Sequence, residues 1–249
     1  MAEAAVLMAA EGLVLAPGRA PIDDEVRAGE IVGLAGLEGH GQERFLETLA
    51  GLHRPVEGRV TVAADDGARR PVTSFRQATA HRVGYLPRDR RTTGIFPGLS
   101  ILDNFAIASI GRDSRFGLID AAARRRRYAA WHERLRIVAP SPEAPITALS
   151  GGNQQKVLLA RWLARDPRVL LLNDPTRGVD IGTRRTLYGV FRALADDGLA
   201  LVVLSTENEE IMQLCDRVLV FRDREVSARL AGETMTVDAT IAAMFGRAA

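Results

Sequence analysis

Gly36-Leu37-Glu38-Gly39-His40-Gly41-Gln42-Glu43 follows the apolar run Ile31 to Ala35 and leads into a helix-compatible pattern from Gln42 to Leu49. Strand, glycine-rich turn and helix in that order make an anion cradle. Gly36, Gly39 and Gly41 permit close backbone approach, and the first N–H groups of the helix face the ligand. In the usual spacing, G-x-x-x-x-G-K-[ST], a lysine meets the β- and γ-phosphates and a hydroxyl holds magnesium. Here Gln42 stands at the lysine position, Glu43 at the hydroxyl position, and His40 lies inside the loop. Gln42 can donate a hydrogen bond but brings no charge. Glu43 already satisfies the positive end of the helix dipole, worth about 0.3–1 kcal/mol, and repels a phosphate placed there.

Around this element, short apolar runs alternate with longer helical patterns, the rhythm of a parallel sheet with crossover helices. Val169 to Leu172, Leu199 to Leu204 and Val218 to Phe221 are further buried-strand candidates, and Gly182 to Leu194 and Asn208 to Leu214 carry helical patterns. The opening residues lack a basic region, meet Glu11 early and are expected to approach an edge strand rather than form a signal peptide. Ala63 to Pro71, with Asp65, Asp66 and Gly67, is expected to be a surface turn. From Leu99 to Ile137 the pattern is helical and arginine-rich, with no strong strand candidate. Its Arg124-Arg125-Arg126-Arg127 block is expected to be a solvated helix face backed by Trp131, Leu135 and Val138.

Composition excludes several classes. The 249 residues suit one α/β domain with a smaller subdomain, and 47% apolar content fills a sizeable core. A net charge of +2 is too balanced to name a nucleic-acid or membrane partner. Cys215 is the only cysteine, which excludes an intrachain disulfide or a cysteine metal cluster and fits a small buried side chain. No apolar run reaches the roughly 18 residues a membrane span needs.

A second motif is complete. In Leu149-Ser150-Gly151-Gly152-Asn153-Gln154-Gln155-Lys156, Ser150 is a helix N-cap, the two glycines leave the first N–H groups bare, and no acid precedes Lys156. That helix start is open to an anion. Val157, Leu158, Trp162 and Leu163 are expected to anchor the helix from Asn153 onward.

Together with Pro175-Thr176-Arg177-Gly178-Val179-Asp180, Asp89-Arg90 and Pro97-Gly98-Leu99-Ser100, these residues resemble ATP-binding cassette proteins. The likeness is greatest to the second cassette of fused two-cassette importers for ribose, galactose, xylose and related monosaccharides, and it runs from about Gly29 to Phe221. It implies a P-loop NTPase α/β core with a mostly parallel sheet, an antiparallel β edge and an inserted helical subdomain. The expected division is 1–94 and 153–249 as the α/β core, with 95–152 as the helical subdomain. It also implies ATP and magnesium as cofactors. Asn173 would take the place of the magnesium-binding Asp, Asp174 that of the Glu that polarises water, Thr206 that of a histidine on the γ-phosphate, and Arg88 that of a glutamine. Asn173 and Glu43 are then weak magnesium candidates, and an aromatic that stacks adenine is missing near Leu13 to Pro17.

The resemblance further implies a head-to-tail pair of cassettes in which one chain's signature faces the other's phosphate loop. Ser150, Gly151, Gly152 and Gln154 would complete a partner's site, with Asp180 in the loop that crosses the interface. Gly36, Gly39, His40, Gly41, Gln42, Glu43, Asn173 and Asp174 would form the chain's own, impaired site. The implied partners are a second cassette, a transmembrane permease and, indirectly, a sugar-binding protein, at the inner face of the cell membrane. Pro97 to Phe105 would face the permease through Ile101, Leu102 and Phe105. Two rivals stand beside this reading: a ribosome- or nucleic-acid-associated cassette, suggested by the arginine block, and a scaffold that binds no nucleotide.

Overall fold

The computed structural model describes residues 4–115 and 118–246. They form two compact units. One takes the chain up to Tyr85, Arg168–Pro175 and the chain from Phe191 onward; the other takes Leu86–Pro167 and Thr176–Val190.

In the first unit a six-stranded sheet has the order Glu225–Ala231, Arg217–Arg222, Ile31–Gly36, Ala200–Leu204, Val169–Asn173, Val83–Leu86. Ile31–Gly36 pairs in parallel with both neighbours, and Ala200–Leu204 in parallel with Val169–Asn173. The hairpin strand Glu225–Ala231 adds an antiparallel edge. Ala200–Leu204 and Val169–Asn173 are buried at every residue, as covered parallel strands must be. Strand ends fall within a residue of the expected runs, because the apolar tracts themselves mark the covered stretch.

Four antiparallel strands, in the order Ile22–Arg27, Val6–Val14, Glu57–Ala63, Arg69–Pro71, form a second sheet. Val6–Val14 is therefore interior and not the expected edge strand. Its Met8, Ala10 and Leu13 lie within the core, and partners on both sides satisfy its backbone. The expected turn at Ala63 to Pro71 is narrower, because Arg69–Pro71 pairs back onto Thr61–Ala63. Both sheets and the helix Gln42–Leu49 share one core, in which the Phe45 and Phe221 rings lie 5.3 Å apart. Cys215 is buried within this unit, and burial pushes its thiol well above the usual range.

The second unit is mainly helical. Its helices include Gly151–Leu163 and Ala121–Arg134. Contrary to expectation it holds a two-stranded hairpin, Ser114–Arg115 with Leu118–Ile119, too short to register as an apolar run. The signature helix begins at Gly151, two residues before the expected Asn153, because the Ser150 cap lets both glycines take helical geometry. The back of Ala121–Arg134 is Tyr128 with Leu135 beyond its end, whereas Val138 lies outside the helix and is 74% exposed. The helix stops at Arg134, and Arg136 turns to a positive φ, so the 3.6-residue spacing no longer applies at Val138. Nor is the arginine block simply solvated. Arg127 pairs with buried Asp113 at 2.5 Å, Arg124 with Asp103 at 3.1 Å and Asp113 at 3.6 Å, and only Arg125 and Arg126 are exposed.

Ile101, Leu102 and Phe105, expected to face a permease, are instead buried in Ile101–Ala106. Their turn is locked from within. Arg161 donates to the Asn104 carbonyl (2.6 Å), the Gly94 carbonyl (2.7 Å) and Asn104 Oδ1 (3.1 Å), and its guanidinium lies 5.5 Å from the Phe96 ring centroid. Burial pushes its pKa down to about 10. What this leaves exposed is Phe96-Pro97-Gly98.

Arg161→Met should destabilise the protein by about 3 kcal/mol, since each buried acceptor left unmade costs about 1–3 kcal/mol. Urea unfolding should register this as a lower midpoint. A change under about 0.5 kcal/mol would mean the arginine is not what holds the turn.

Candidate functional site

The phosphate-loop half belongs to the first unit. Leu37 to Gly39 are exposed, and Gly41 enters the helix at φ +109, where a Cβ would stand 2.7 Å from the Arg224 Cα. Only glycine fits there. The His40 carbonyl accepts from Arg224 N–H at 2.8 Å, so the loop is braced by the hairpin turn behind it. Gln42 turns inward: its Nε2 donates to the Gly36 and Leu37 carbonyls at 3.1 and 2.9 Å. Its side chain is buried, and its Oε1 has no hydrogen-bond partner among the described residues.

Glu43 Oε1 accepts from Asn173 Nδ2 at 2.9 Å, and the Asn173 amide also lies 3.5 Å from the Tyr85 hydroxyl. Burial pushes that phenol up to about 12. Asp174 follows at φ 47, a left-handed conformation that aspartate tolerates. Its Oδ1 accepts from Thr206 N–H (2.8 Å) and Thr206 Oγ1 (3.2 Å), and its N–H donates to the Leu204 carbonyl (2.8 Å). Thus Gln42, Glu43, Asn173, Asp174 and Thr206 converge, as the strand order requires.

These residues fit a magnesium triphosphate poorly. The loop has no lysine, and the donors of Gln42 are spent on its own carbonyls. Asn173 offers its NH₂ toward Glu43, so a cation would have to turn that amide before using its oxygen. One carboxylate and one neutral group remain, with their places exchanged between helix and strand. Leu13, Leu15 and Ala16 are buried aliphatics, and no aromatic lies in the 13–17 segment.

The signature half belongs to the second unit. Ser150 Oγ accepts from Asn153 N–H at 3.4 Å and from Asn153 Nδ2 at 3.1 Å, and no acid lies in the first turn. Asn153 Oδ1 in turn accepts from Val138 N–H at 2.9 Å. Both glycines are needed for packing. A Cβ on Gly152 would meet Thr183 Cγ2 at 2.7 Å, and one on Gly151 would meet Arg90 Nη2 at 2.4 Å. Gln154 is buried, its amide donating to the Leu149 and Ile146 carbonyls at 3.2 and 3.4 Å, so that amide is already engaged within the fold. Lys156 Nζ donates to the Arg136 carbonyl at 2.8 Å, and burial lowers its pKa. Asp180 is exposed and accepts from Thr183 N–H at 3.0 Å, which lowers its pKa. Arg88 lies in this unit, partly exposed, two residues past the end of Val83–Leu86. Arg161 escaped sequence reasoning, and Arg90 entered it only within the Asp89-Arg90 resemblance and without a role: their acceptors are backbone carbonyls, most of them far along the chain, which no side-chain pattern reports.

A family profile described as ABC transporter matches residues 20–177. The ribose import ATP-binding protein RbsA 1 of Rhizobium johnstonii is 44% identical over 212 residues, covering 84% of this chain and 40% of that protein. A putative ribose/galactose/methyl galactoside import ATP-binding protein of Halalkalibacterium halodurans is 40% identical over 209 residues, with the same two shares. The chain thus spans about 40% of the length of these curated relatives. Among solved structures, the ADP conformation of the ATP-binding cassette MJ1267 superposes with a TM-score of 0.80 at 15% identity, covering 98% of this chain and 100% of that one. The dimeric, ADP- and Pi-bound cassette MJ0796 gives 0.74 at 21%, covering 90% and 98%. At those identities the two structures attest the fold.

Asn173→Asp should set two carboxylates against each other and lower stability by about 1–3 kcal/mol in metal-free buffer. Magnesium should restore part of the loss. Thermal denaturation with and without the cation checks this, and an unchanged melting temperature in metal-free buffer would mean the Glu43–Asn173 bond carries no weight.

Proposed function

This chain belongs to the ABC transporter family, and on that premise we propose that it is a nucleotide-binding cassette of a monosaccharide importer whose signature completes a partner cassette's ATP site while its own site is impaired. One observation carries the proposal: the two helix starts treat an anion oppositely. Gln42–Leu49 opens with an acid in its first turn and an inward-turned glutamine, whereas Gly151–Leu163 opens with a serine cap, two glycines and no acid. A helix N-terminus attracts phosphate through its bare N–H groups and dipole, and a carboxylate there opposes both.

The partners follow from the same reading. A second cassette supplies the competent phosphate loop, a permease carries the sugar, and a sugar-binding protein delivers it. The chain then acts peripherally at the cytoplasmic face. Among the described residues no helix is long and apolar enough to cross a membrane. The permease-facing surface is assigned to Phe96-Pro97-Gly98, exposed on a turn that Arg161 holds. Ribose- and galactose-type sugars are the substrate class, from the named relatives. The nucleic-acid rival loses its motive, since Arg124 and Arg127 are spent on Asp103 and Asp113.

In the assembled two-cassette complex, Ser150→Asp should lower ATPase activity by about 10²-fold or more, the usual cost of opposing a positioned anion site, while Gln42→Ala should change it only a few-fold. Aspartate keeps the N-cap, so the helix survives. Gly151→Asp would be a poorer test because its side chain collides with Arg90. If Gln42→Ala is the more damaging, the division of labour is reversed. Single cysteines at Phe96 and Gly98 should cross-link to permease loops, whereas cysteines at buried Ile101 and Phe105 should not. Equal labelling at all four would refute the assigned surface.

A further inference from the structure

Arg90 opens a single wide helical turn, Arg90–Gly94, closed by Ile95 N–H donating to its carbonyl at 2.7 Å. Such turns recur at functional positions. Its guanidinium reaches across the second unit: Nη1 donates to the Arg177 carbonyl at 2.7 Å and Nη2 to the Gly178 carbonyl at 3.3 Å. The same Nη2 occupies the space where a side chain on Gly151 would begin, and a Cβ there would also stand 3.2 Å from the Gly178 carbonyl. One fork therefore lies between the first residue of the signature helix and two consecutive carbonyls of the loop leading to Asp180.

The arginine is itself held in place. Asp89 Oδ1 accepts from Arg91 N–H (2.9 Å) and Thr92 N–H (3.3 Å) at the start of the turn, and Arg161 Nη1 holds the Gly94 carbonyl at its end. Burial, with Arg91 nearby, lowers the Arg90 pKa, yet a guanidinium stays charged at neutral pH. The loop it grips is exposed at Arg177, Gly178 and Asp180, and Gly178 needs its φ of +65. The further ties of that loop include the turn from Val179 N–H to the Thr176 carbonyl at 3.1 Å and the Asp180 cap.

We infer that Arg90 is a positioning residue that locks the loop Arg177–Asp180 to the first turn of the signature helix, so that both meet a partner's nucleotide as one piece. This rests on the reading that the Ser150 helix start completes a partner's site. The geometry needs a fork: two neighbouring carbonyls, with Nη2 set against Gly151, suit a planar guanidinium, whereas a lysine ammonium cannot span them.

The test uses the assembled two-cassette complex carrying Arg90→Ala or Arg90→Lys, with Ser150→Asp alongside. Arg90→Ala should lower kcat by about 10²-fold, the scale of a misplacement near 1 Å, and leave KM nearly unchanged, because ATP's ground-state contacts lie on the partner. Arg90→Lys should recover little. Guanidinium at about 20–50 mM, far below the molar range in which it unfolds proteins, should restore much of the lost rate by refilling the vacated position, and methylammonium should not. Hydrogen exchange, read without reference to activity, should quicken at residues 151–153 and 177–180 and nowhere else. Wild-type activity in Arg90→Ala beside an inactive Ser150→Asp overturns the inference and spares the signature reading. Loss of activity without guanidinium rescue, with exchange rising throughout the second unit, overturns it too, since Arg90 then only supports the fold. Full activity in Ser150→Asp overturns the signature reading and this inference with it.

Discussion

Parallel strands are held in register by hydrogen bonds along their whole length, and here that register sets Leu204 beside both Asn173 and Leu34. The carboxyl ends of three strands therefore finish together, and whatever residues follow them must share one crevice. Glu43, Asn173, Asp174 and Thr206 meet for this reason, although they are spread over more than half the chain. The fully buried runs that make the sheet leave it no freedom to slip, since a shifted strand would expose apolar side chains and strip backbone partners.

Within that crevice the polar side chains are tied to one another and to the backbone. Glu43 and Asn173 hydrogen-bond to each other, Gln42 satisfies the loop's own carbonyls, and Asp174 binds the segment after the neighbouring strand through Thr206. Each of these side chains makes at least one hydrogen bond inside the fold. A buried polar group left unpaired is costly, so these internal bonds hold the side chains gathered at the strand ends in place. The helix Gly151–Leu163 begins differently. Its cap and glycines are kept, and Arg90 and Thr183 pack so closely that neither glycine can be replaced without displacing a neighbour.

Three cations of the second unit follow one logic. Arg161 and Lys156 are buried and Arg90 is partly exposed, and each donates to backbone carbonyls of other segments. Arg161 sits near the end of the helix whose start is Ser150, so a single rigid rod carries the open helix start and the residue that fixes the exposed Phe96 turn.

Sequence alone determined the α/β class, the strand and helix runs of the core, the phosphate loop with its missing lysine, and the intact cap at Ser150. These are local properties: apolar periodicity, glycine spacing and capping chemistry act over a few residues. Only the tertiary structure decided that Val6–Val14 is interior, that Ile101 and Phe105 belong to the core, that Val138 is exposed and that Gln154 faces inward. It alone showed that half the arginine block is neutralised by Asp103 and Asp113, and that Arg90 clamps a loop nearly ninety positions away. Those outcomes depend on which surfaces meet and which carbonyls lack a donor once the chain is packed. No spacing of residue types along the chain encodes that.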